Sequence, residues 1–428
     1  MTYDEAMAYI HGIDWRGSKP GLSRTRALLA AVGDPQDELK FIHVAGTNGK
    51  GSFSAMTESI LRRAGYRTGL FTSPFITRFN ERIRVGGEDI PDGALAALVE
   101  EIRPLAEGLD DPPTEFELIT AIGMLWFARN ACDIVVLEVG LGGELDSTNV
   151  IDVPELAVIM ALGLDHTEIL GPTMADIARA KAGIIKAGGD VLSYGGEAEA
   201  DRVVEETCRA RGARLRRPDF AALTEREAAL TGRIFDYGAH KELCIPLAGR
   251  YQLKNAAMAV EAAELLRGKG WRISDDAIRE GLAATVWKGR FELLRREPPF
   301  ILDGSHNPQG VAAAAETLRE FFPEGKIVFL TGVMADKDVD VMIAELLPLA
   351  SCFVTVRPEN RRALAPERYA ERIRAAGGTA RAADSIDAGA ALAAELAGRD
   401  GVVCAIGSLY MSEDVREAFL KMCNKKDK

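Results

Sequence analysis

The segment HVAGTNGKGS, residues 43 to 52, holds the densest chemistry in the chain. A run of β-formers leads into it and a helical pattern leads out. Glycines let backbone N–H groups turn inward, so that Gly46, Thr47, Asn48, Gly49, Lys50, Gly51 and Ser52 together read as a phosphate cradle. Lys50 supplies a point charge for β and γ phosphates, and the Ser52 hydroxyl can reach a phosphate-bound Mg²⁺. The spacing departs from the common G-x-x-x-x-G-K-[ST] form, because two residues separate Gly46 from Gly49 and the hydroxyl follows the lysine by two. The plainer alternative is a flexible glycine turn, which leaves the strand before it and the helix after it without a role.

Four other places carry reactive side chains. DIVVLEVGLGG (133 to 143) ends an apolar strand in Glu138, a carboxylate that can bind Mg²⁺ beside a phosphate cradle or merely close a strand in solvent. In GLDHTEILGPTMADIARAKAGIIK (163 to 186), a helix from Met174 at ~100° per residue puts Ile177, Ala178, Ile184 and Ile185 on one arc with Lys181 in its middle. Such a lysine either loses charge to desolvation or snorkels to water. His166 follows Asp165 on the preceding loop, where a hydrogen-bonded loop histidine is the plainer alternative. ILDGSHNP (301 to 308) sets Asp303 and His306 at a strand end before a helix N-terminus, where open α/β sheets hold anions. WKGRFE (287 to 292) places Arg290 in a Gly-bounded loop whose fork of donors suits phosphate.

The elements that must position these groups follow a βα rhythm. KFIHVA, YRTGLF, DIVVLEVG, ELAVIMALGLD and GGDVLSYG read as buried strands, with helices expected at 51–64, 116–129, 174–186 and 198–211. After a polar insert around residues 215 to 245 comes the helix AMAVEAAELLRGKG, and Ser274 with Asp275 and Asp276 caps another. FILDG, KIVFLTGV, CFVTVR and GVVCAIGS form a second series of strands. Asn307-Pro308 suits an N-cap and first turn. Arg295-Arg296-Glu297-Pro298-Pro299 reads as a linker, which divides the chain near residue 297.

Composition narrows the partners. The chain has 428 residues, enough for two or three domains, and 47% hydrophobic with 27% charged residues excludes a disordered or fibrous protein. Its net charge of -12 argues against nucleic acid or an anionic membrane as the main partner. The six cysteines show no CxxC or metal spacing and read as reduced thiols; with neither a signal peptide nor a long apolar run, a cytoplasmic location is expected.

HVAGTNGKGS, GLFTSPFITRFNERIRV, EVGLGGELDSTNV, GLDHTEILG, AKAGIIK, GRYQLKNAAMAV, GRFE, ILDGSHNP and GSLY together resemble the folylpolyglutamate synthase and dihydrofolate synthase family, ATP-dependent amide ligases related to the Mur ligases of cell-wall synthesis. The motifs run in family order from residue 43 to residue 410. The resemblance implies an α/β fold: a P-loop, Mur-ligase-like central domain with a mostly parallel sheet over residues 1–296, and a smaller C-terminal Rossmann-like glutamate-ligase domain over 297–428. It implies that ATP phosphorylates a carboxylate of a folate or dihydropteroate and that L-glutamate attacks the acyl phosphate. By the same resemblance Lys50, Glu138, His166 and Lys181 are catalytic. Asn255, Arg290, Asp303 and His306 join Gly46 to Ser52 in contacting ATP. Ser52, Ser73, Glu138 and His166 hold Mg²⁺, and Phe75 and Arg82 meet the folate substrate. Lys181 matches a lysine that many members carry as a carbamate, and a monomer is the default.

Glu144 stands where arginine is usual, Ser147 where alanine is usual, Phe75 where histidine is frequent and Lys288 where proline is common. Two other functions compete. A cell-wall Mur enzyme is disfavoured by TNGKGS with TSPFI and by LDGSHNP. A P-loop NTPase or regulatory module without ligase chemistry is disfavoured by the lack of a guanine-reading N-K-x-D motif and by the presence of Lys181, Glu138 and His166.

Overall fold

A computed structural model describes residues 1–13 and 21–426. The chain clusters into two compact units. The first holds Met1–Leu223, Tyr237–Leu243 and Lys254–Thr285; the second holds Thr224–Asp236, Cys244–Leu253 and Val286–Lys428.

The first unit is built on an eight-stranded sheet of β1 (Phe41–Ala45), β2 (Thr68–Phe71), β3 (Ile83–Val85), β4 (Glu88–Asp89), β5 (Ile134–Glu138), β6 (Leu156–Ile159), β7 (Asp190–Ser193) and β8 (Arg214–Arg216). Their order is β4-β3-β2-β5-β1-β6-β7-β8, parallel except where β3 pairs with β2 and β4. The middle strands are buried at every position and mostly apolar, as strands covered on both faces must be. Both edges are short and charged, Glu88–Asp89 on one side and Arg214 with Arg216 on the other, which discourages pairing with another chain. Helices Lys50–Arg63, Asp92–Glu107, Glu115–Arg129, Met174–Ala182 and Ala198–Arg211 accompany the sheet. Reciprocal Thr/acid caps start two of them, Thr114 with Glu117 and Thr173 with Asp176.

The helix bearing Lys181 ends at Ala182, four residues short of the expected Lys186. Gly183 is the reason: a Cβ there would lie 2.2 Å from the Cβ of Glu144, so the loop after β5 lies against the helix end. Ile184 and Ile185 are still fully buried. The apolar arc exists, but a turn supplies its last two members. The polar insert forms β9 (Leu223–Ala229), β10 (Gly232–Tyr237) and β11 (His240–Ile245), in the order β11-β10-β9. The mostly exposed, mixed-charge β9 hid it from an apolar-run reading.

The second unit contains β12 (Glu292–Arg295), β13 (Phe300–Asp303), β14 (Ile327–Thr331), β15 (Ala350–Thr355), β16 (Ala380–Ala382) and β17 (Val402–Ile406), ordered β12-β13-β17-β14-β15-β16. Alternate residues feed two cores. Ile301, Phe329, Phe353 and Cys404 enter one, while Leu302, Val328, Val354 and Val403 enter the other. Residues 295 to 299 do not form a linker. β12 and β13 pair antiparallel, and Arg295 Nε donates to the Pro298 carbonyl at 2.9 Å, so the double proline lies in a hairpin turn. The last of the boundaries between the two units falls at Thr285/Val286. Among the described residues no helix is long and apolar enough to cross a membrane.

Arg233 on β10 braces the second unit from within. Its side chain is fully buried and donates to Ala248 O at 2.6 Å, to Glu225, and to both carboxylate oxygens of Glu320 at 3.2 and 2.7 Å, with Phe321 beneath its plane. Removing one partner of a buried ion pair strands the others. Arg233→Ala is expected to lower unfolding stability by about 3 kcal/mol in urea titrations; a loss below about 1 kcal/mol would mark the cluster as an ordinary surface pair.

Candidate active site

The turn from Gly46 to Gly49 joins β1 to the helix Lys50–Arg63. At Gly46 φ is +153°, and a Cβ would meet Met160 Cβ at 2.6 Å, so no other residue fits without moving β6's continuation. The Thr47 hydroxyl bridges to Gly163, donating to its carbonyl at 3.0 Å and accepting from its N–H at 3.1 Å. The N–H groups of Thr47 and Asn48 both donate to Ala161 O, at 2.9 and 3.1 Å. These two amides of the expected cradle are therefore engaged. No side chain caps the helix at Gly49, which leaves its first-turn amides at Lys50 and Gly51 suited to an anion.

Two amines converge on one carbonyl. Lys50 Nζ lies 3.1 Å from Gly46 O and Lys181 Nζ lies 2.8 Å from the same atom. Burial, and then the Lys50 charge, lower the pKa of Lys181 to about 7, against the opposing pull of Asp165 and Asp146. Glu138, buried at the end of β5, places Oε1 3.9 Å from Lys50 Nζ and accepts at Oε2 from the Ser73 N–H at 3.4 Å. Ser52 is buried in the first helical turn, and the buried Asn255 side chain lies over Gly49, with Oδ1 2.7 Å from where a Cβ would stand. Lys50, Lys181, Glu138, Ser73, Ser52 and Asn255 thus gather about the loop. His166 has a side chain 40% exposed, a φ of 52° and Nε2 4.0 Å from Asp165 Oδ1.

Beneath the loop after β5 lies a buried network that sequence alone did not reveal. Asp146 accepts from Leu141 N at 2.9 Å and Thr148 N at 3.0 Å, and from the Thr148 hydroxyl at 2.5 Å. With its proton committed to Asp146, Thr148 Oγ1 accepts from His43 Nε2 at 2.9 Å. His43 Nδ1 has no partner, so protonating it would bury a charge; desolvation, with Lys186 adding repulsion, drives its pKa to about 3. Thr120 commits its proton to Phe116 O at 2.8 Å, so its Oγ1 accepts from the Ser147 hydroxyl at 3.3 Å.

Phe75, 36% exposed, meets Phe79 edge-on at 5.9 Å, and the Arg82 guanidinium lies over both rings at 5.2 and 5.4 Å. His11 caps Phe79 at 5.6 Å. The result is an aromatic and cationic surface, suited to a planar, anionic ligand.

In the second unit Asp303 is almost fully buried and acts as a knot. Oδ2 accepts from Phe291 N at 2.7 Å and from the Tyr251 hydroxyl at 3.1 Å, and Oδ1 accepts from Ser305 N at 2.9 Å. Burial first, and then the Asp303 charge, push the Tyr251 pKa well up, which keeps its hydroxyl a donor. His306 Nδ1 lies 3.0 Å from Gly304 O, and Asn307 caps the helix Pro308–Phe321 by accepting from Gly310 N at 2.8 Å. Arg290 stands between Gly289 and Phe291, and Phe291 adopts a φ of 49° that costs a bulky residue on the order of 1–3 kcal/mol.

The Mur ligase middle domain matches residues 44–263, and the glutamate ligase domain of Mur ligases matches residues 289–409. The fold is that of a Mur ligase. The dihydrofolate synthase/folylpolyglutamate synthase of Bacillus subtilis is 41% identical over 360 residues, covering 82% of this chain and 84% of that one. The folylpolyglutamate synthase of Lacticaseibacillus casei is 37% identical over 434 residues, covering 98% and 99%. Escherichia coli FolC, solved in complex with DHPP and ADP, superposes with a TM-score of 0.86 at 30% identity over 99% of each chain. The chain belongs to the folylpolyglutamate synthase and dihydrofolate synthase family.

The buried His43 gives a pH signature. Its pKa is depressed in the folded state, so the unfolded chain binds the extra proton between pH 6.5 and about 3, and stability falls as pH drops through that window. The group contributes at most about 5 kcal/mol of this loss. In urea titrations across pH, His43→Asn is expected to flatten the slope, and a wild-type slope retained in that variant would contradict the assignment.

Proposed function

We propose that this chain is an ATP-dependent ligase that joins L-glutamate to a carboxylate of a folate-type substrate through an amide bond. The observation that carries the reading is the convergence of Lys50 and Lys181 on the Gly46 carbonyl with Glu138 beside Lys50, an arrangement suited to handling a phosphoryl group. In the first step a substrate carboxylate oxygen attacks the γ-phosphorus of ATP, forming an acyl phosphate and releasing ADP. In the second the glutamate amine attacks the acyl carbon, and phosphate and a proton leave.

The first-turn amides of the helix after the P-loop and the Lys50 ammonium hold the phosphates. Asn255, Arg290, Asp303 and His306 are proposed as further nucleotide positions on the strength of the family resemblance. The hard oxygens of Glu138, Ser52 and Ser73 suit Mg²⁺, which when bound supplies charge neutralisation across phosphate oxygens. Among the described residues, the one cluster of three His, Asp or Glu side chains close enough to share a cation is His240, Glu264 and Asp275. There Arg267 already donates to both carboxylates, at 2.9 Å each. At the P-loop, few protein oxygens are gathered, which fits an ion that takes most of its shell from phosphate and water. His166, on an exposed loop, is proposed as an additional ligand.

Lys181 fits the carbamate role because its amine is substantially neutral near pH 7. The Nζ lone pair bonds the carbon of CO₂ and a proton is released, so an anion stands beside Lys50 where a neutral amine stood. Phe75 and Arg82 are proposed to receive the aromatic, anionic folate or dihydropteroate.

Purified protein with ATP and Mg²⁺ is expected to release ADP only when both L-glutamate and a folate or dihydropteroate acceptor are present; release that ignores both would sink the reading. A response to dihydropteroate assigns the synthase step, and a response to reduced folates assigns tail extension. Lys181→Ala is expected to lower kcat by about 100-fold, in the range of lost transition-state charge stabilisation. Short carboxylic acids should restore part of that rate, and an unchanged rate in the variant would count against the carbamate.

A further inference from the structure

We propose that Tyr251, acting through Asp303, is a positioning residue for Arg290. The inference rests on Arg290 being a nucleotide contact, as argued above. It follows from how the second unit holds the loop around that arginine.

Arg290 is fixed from both sides. On one side the Gly289 N–H donates to Glu292 Oε2 at 2.7 Å, and Glu292 is itself clamped by both guanidinium nitrogens of Arg416, at 2.9 and 2.6 Å. On the other side Phe291 buries its ring in the core, holds a left-handed backbone and donates its N–H to Asp303 Oδ2 at 2.7 Å. That oxygen also accepts from the Tyr251 hydroxyl at 3.1 Å. Behind the arginine, Gly304 N donates to Gly289 O at 2.8 Å, and Arg290 Nη1 lies 3.1 Å from where a Cβ at Gly304 would stand.

The Asp303 carboxylate therefore spends its hydrogen bonds on the loop's backbone, on Ser305 N and on Tyr251. Among the described residues Tyr251 is the one side chain that donates a neutral hydroxyl to the oxygen holding Phe291. Without it, that oxygen keeps one donor and is free to swing, and the strained Phe291 backbone can relax and carry Arg290 with it. The ring reaches Asp303 by folding back over Gly249, where a Cβ would lie 2.7 Å from two ring carbons. GRYQLKN thus pairs a glycine with the tyrosine it accommodates.

Steady-state kinetics in the four-member set wild type, Tyr251→Phe, Arg290→Ala and the double variant test this. Tyr251→Phe is expected to raise KM for ATP about 10-fold, the scale of one hydrogen bond to a charged group, with kcat changed less than threefold. In the Arg290→Ala background the same substitution should change KM by less than twofold. Gly249→Ala, which displaces the ring, should repeat the Tyr251→Phe pattern, and thermal midpoints of all variants separate this pattern from loss of fold. An unchanged KM in Tyr251→Phe, or an equal fold-change in both backgrounds, overturns the positioning role. An unchanged KM in Arg290→Ala overturns the nucleotide assignment of Arg290 and the proposal with it, and is distinguishable because it appears in the single variant.

Discussion

The carbonyl of Gly46 accepts from two amines, and the groups at the ends of β1 and β5 are arranged around that crowding. Two ammonium groups on one acceptor repel each other, and one of them is buried in apolar surroundings. The conflict is relieved by letting the buried amine go neutral. Glu138 stays on the side of Lys50, at 3.9 Å, so the remaining positive charge is both balanced and kept in place. The strands that bring these groups together need to be buried on both faces, which is why β1, β5 and β6 are almost wholly apolar up to the residue where chemistry begins.

The second unit solves a different problem, holding a guanidinium on a loop. Asp303 uses an anionic side chain as an internal peg for backbone amides, which is how a strained left-handed Phe291 is kept. Charge in this protein is therefore used in two ways. Lys50 stands at the uncapped start of its helix, where an anion is suited, whereas Arg233 has its charge taken up by neighbouring carboxylates and serves the framework.

What the sequence made legible was local. The strand, glycine turn and helix around Lys50, the lysine on an apolar arc and the Asn307-Pro308 cap depend on residues close together in the chain, so spacing reveals them. What it hid was long-range. The end of the Lys181 helix is set by Glu144, nearly forty residues away in sequence, and no periodicity within the helix announces it. The stretch ending in Pro298-Pro299 looked like a linker because proline and charge are also what a hairpin turn contains; only the pairing of β12 with β13 tells the two apart. Tyr251 and the His43, Thr148, Asp146 network escaped notice because hydroxyls and imidazoles acquire such roles from partners that folding supplies.

The contact between Gly183 and Glu144 also bears on how this loop can diverge. Glu144 meets the helix end with its backbone and Cβ, while the rest of its side chain is exposed. The packing that seats Lys181 is therefore indifferent to what the side chain at 144 carries beyond its first carbon. The charge at 144 is thereby uncoupled from the amine at 181, and one can change without the other so long as Gly183 keeps its place.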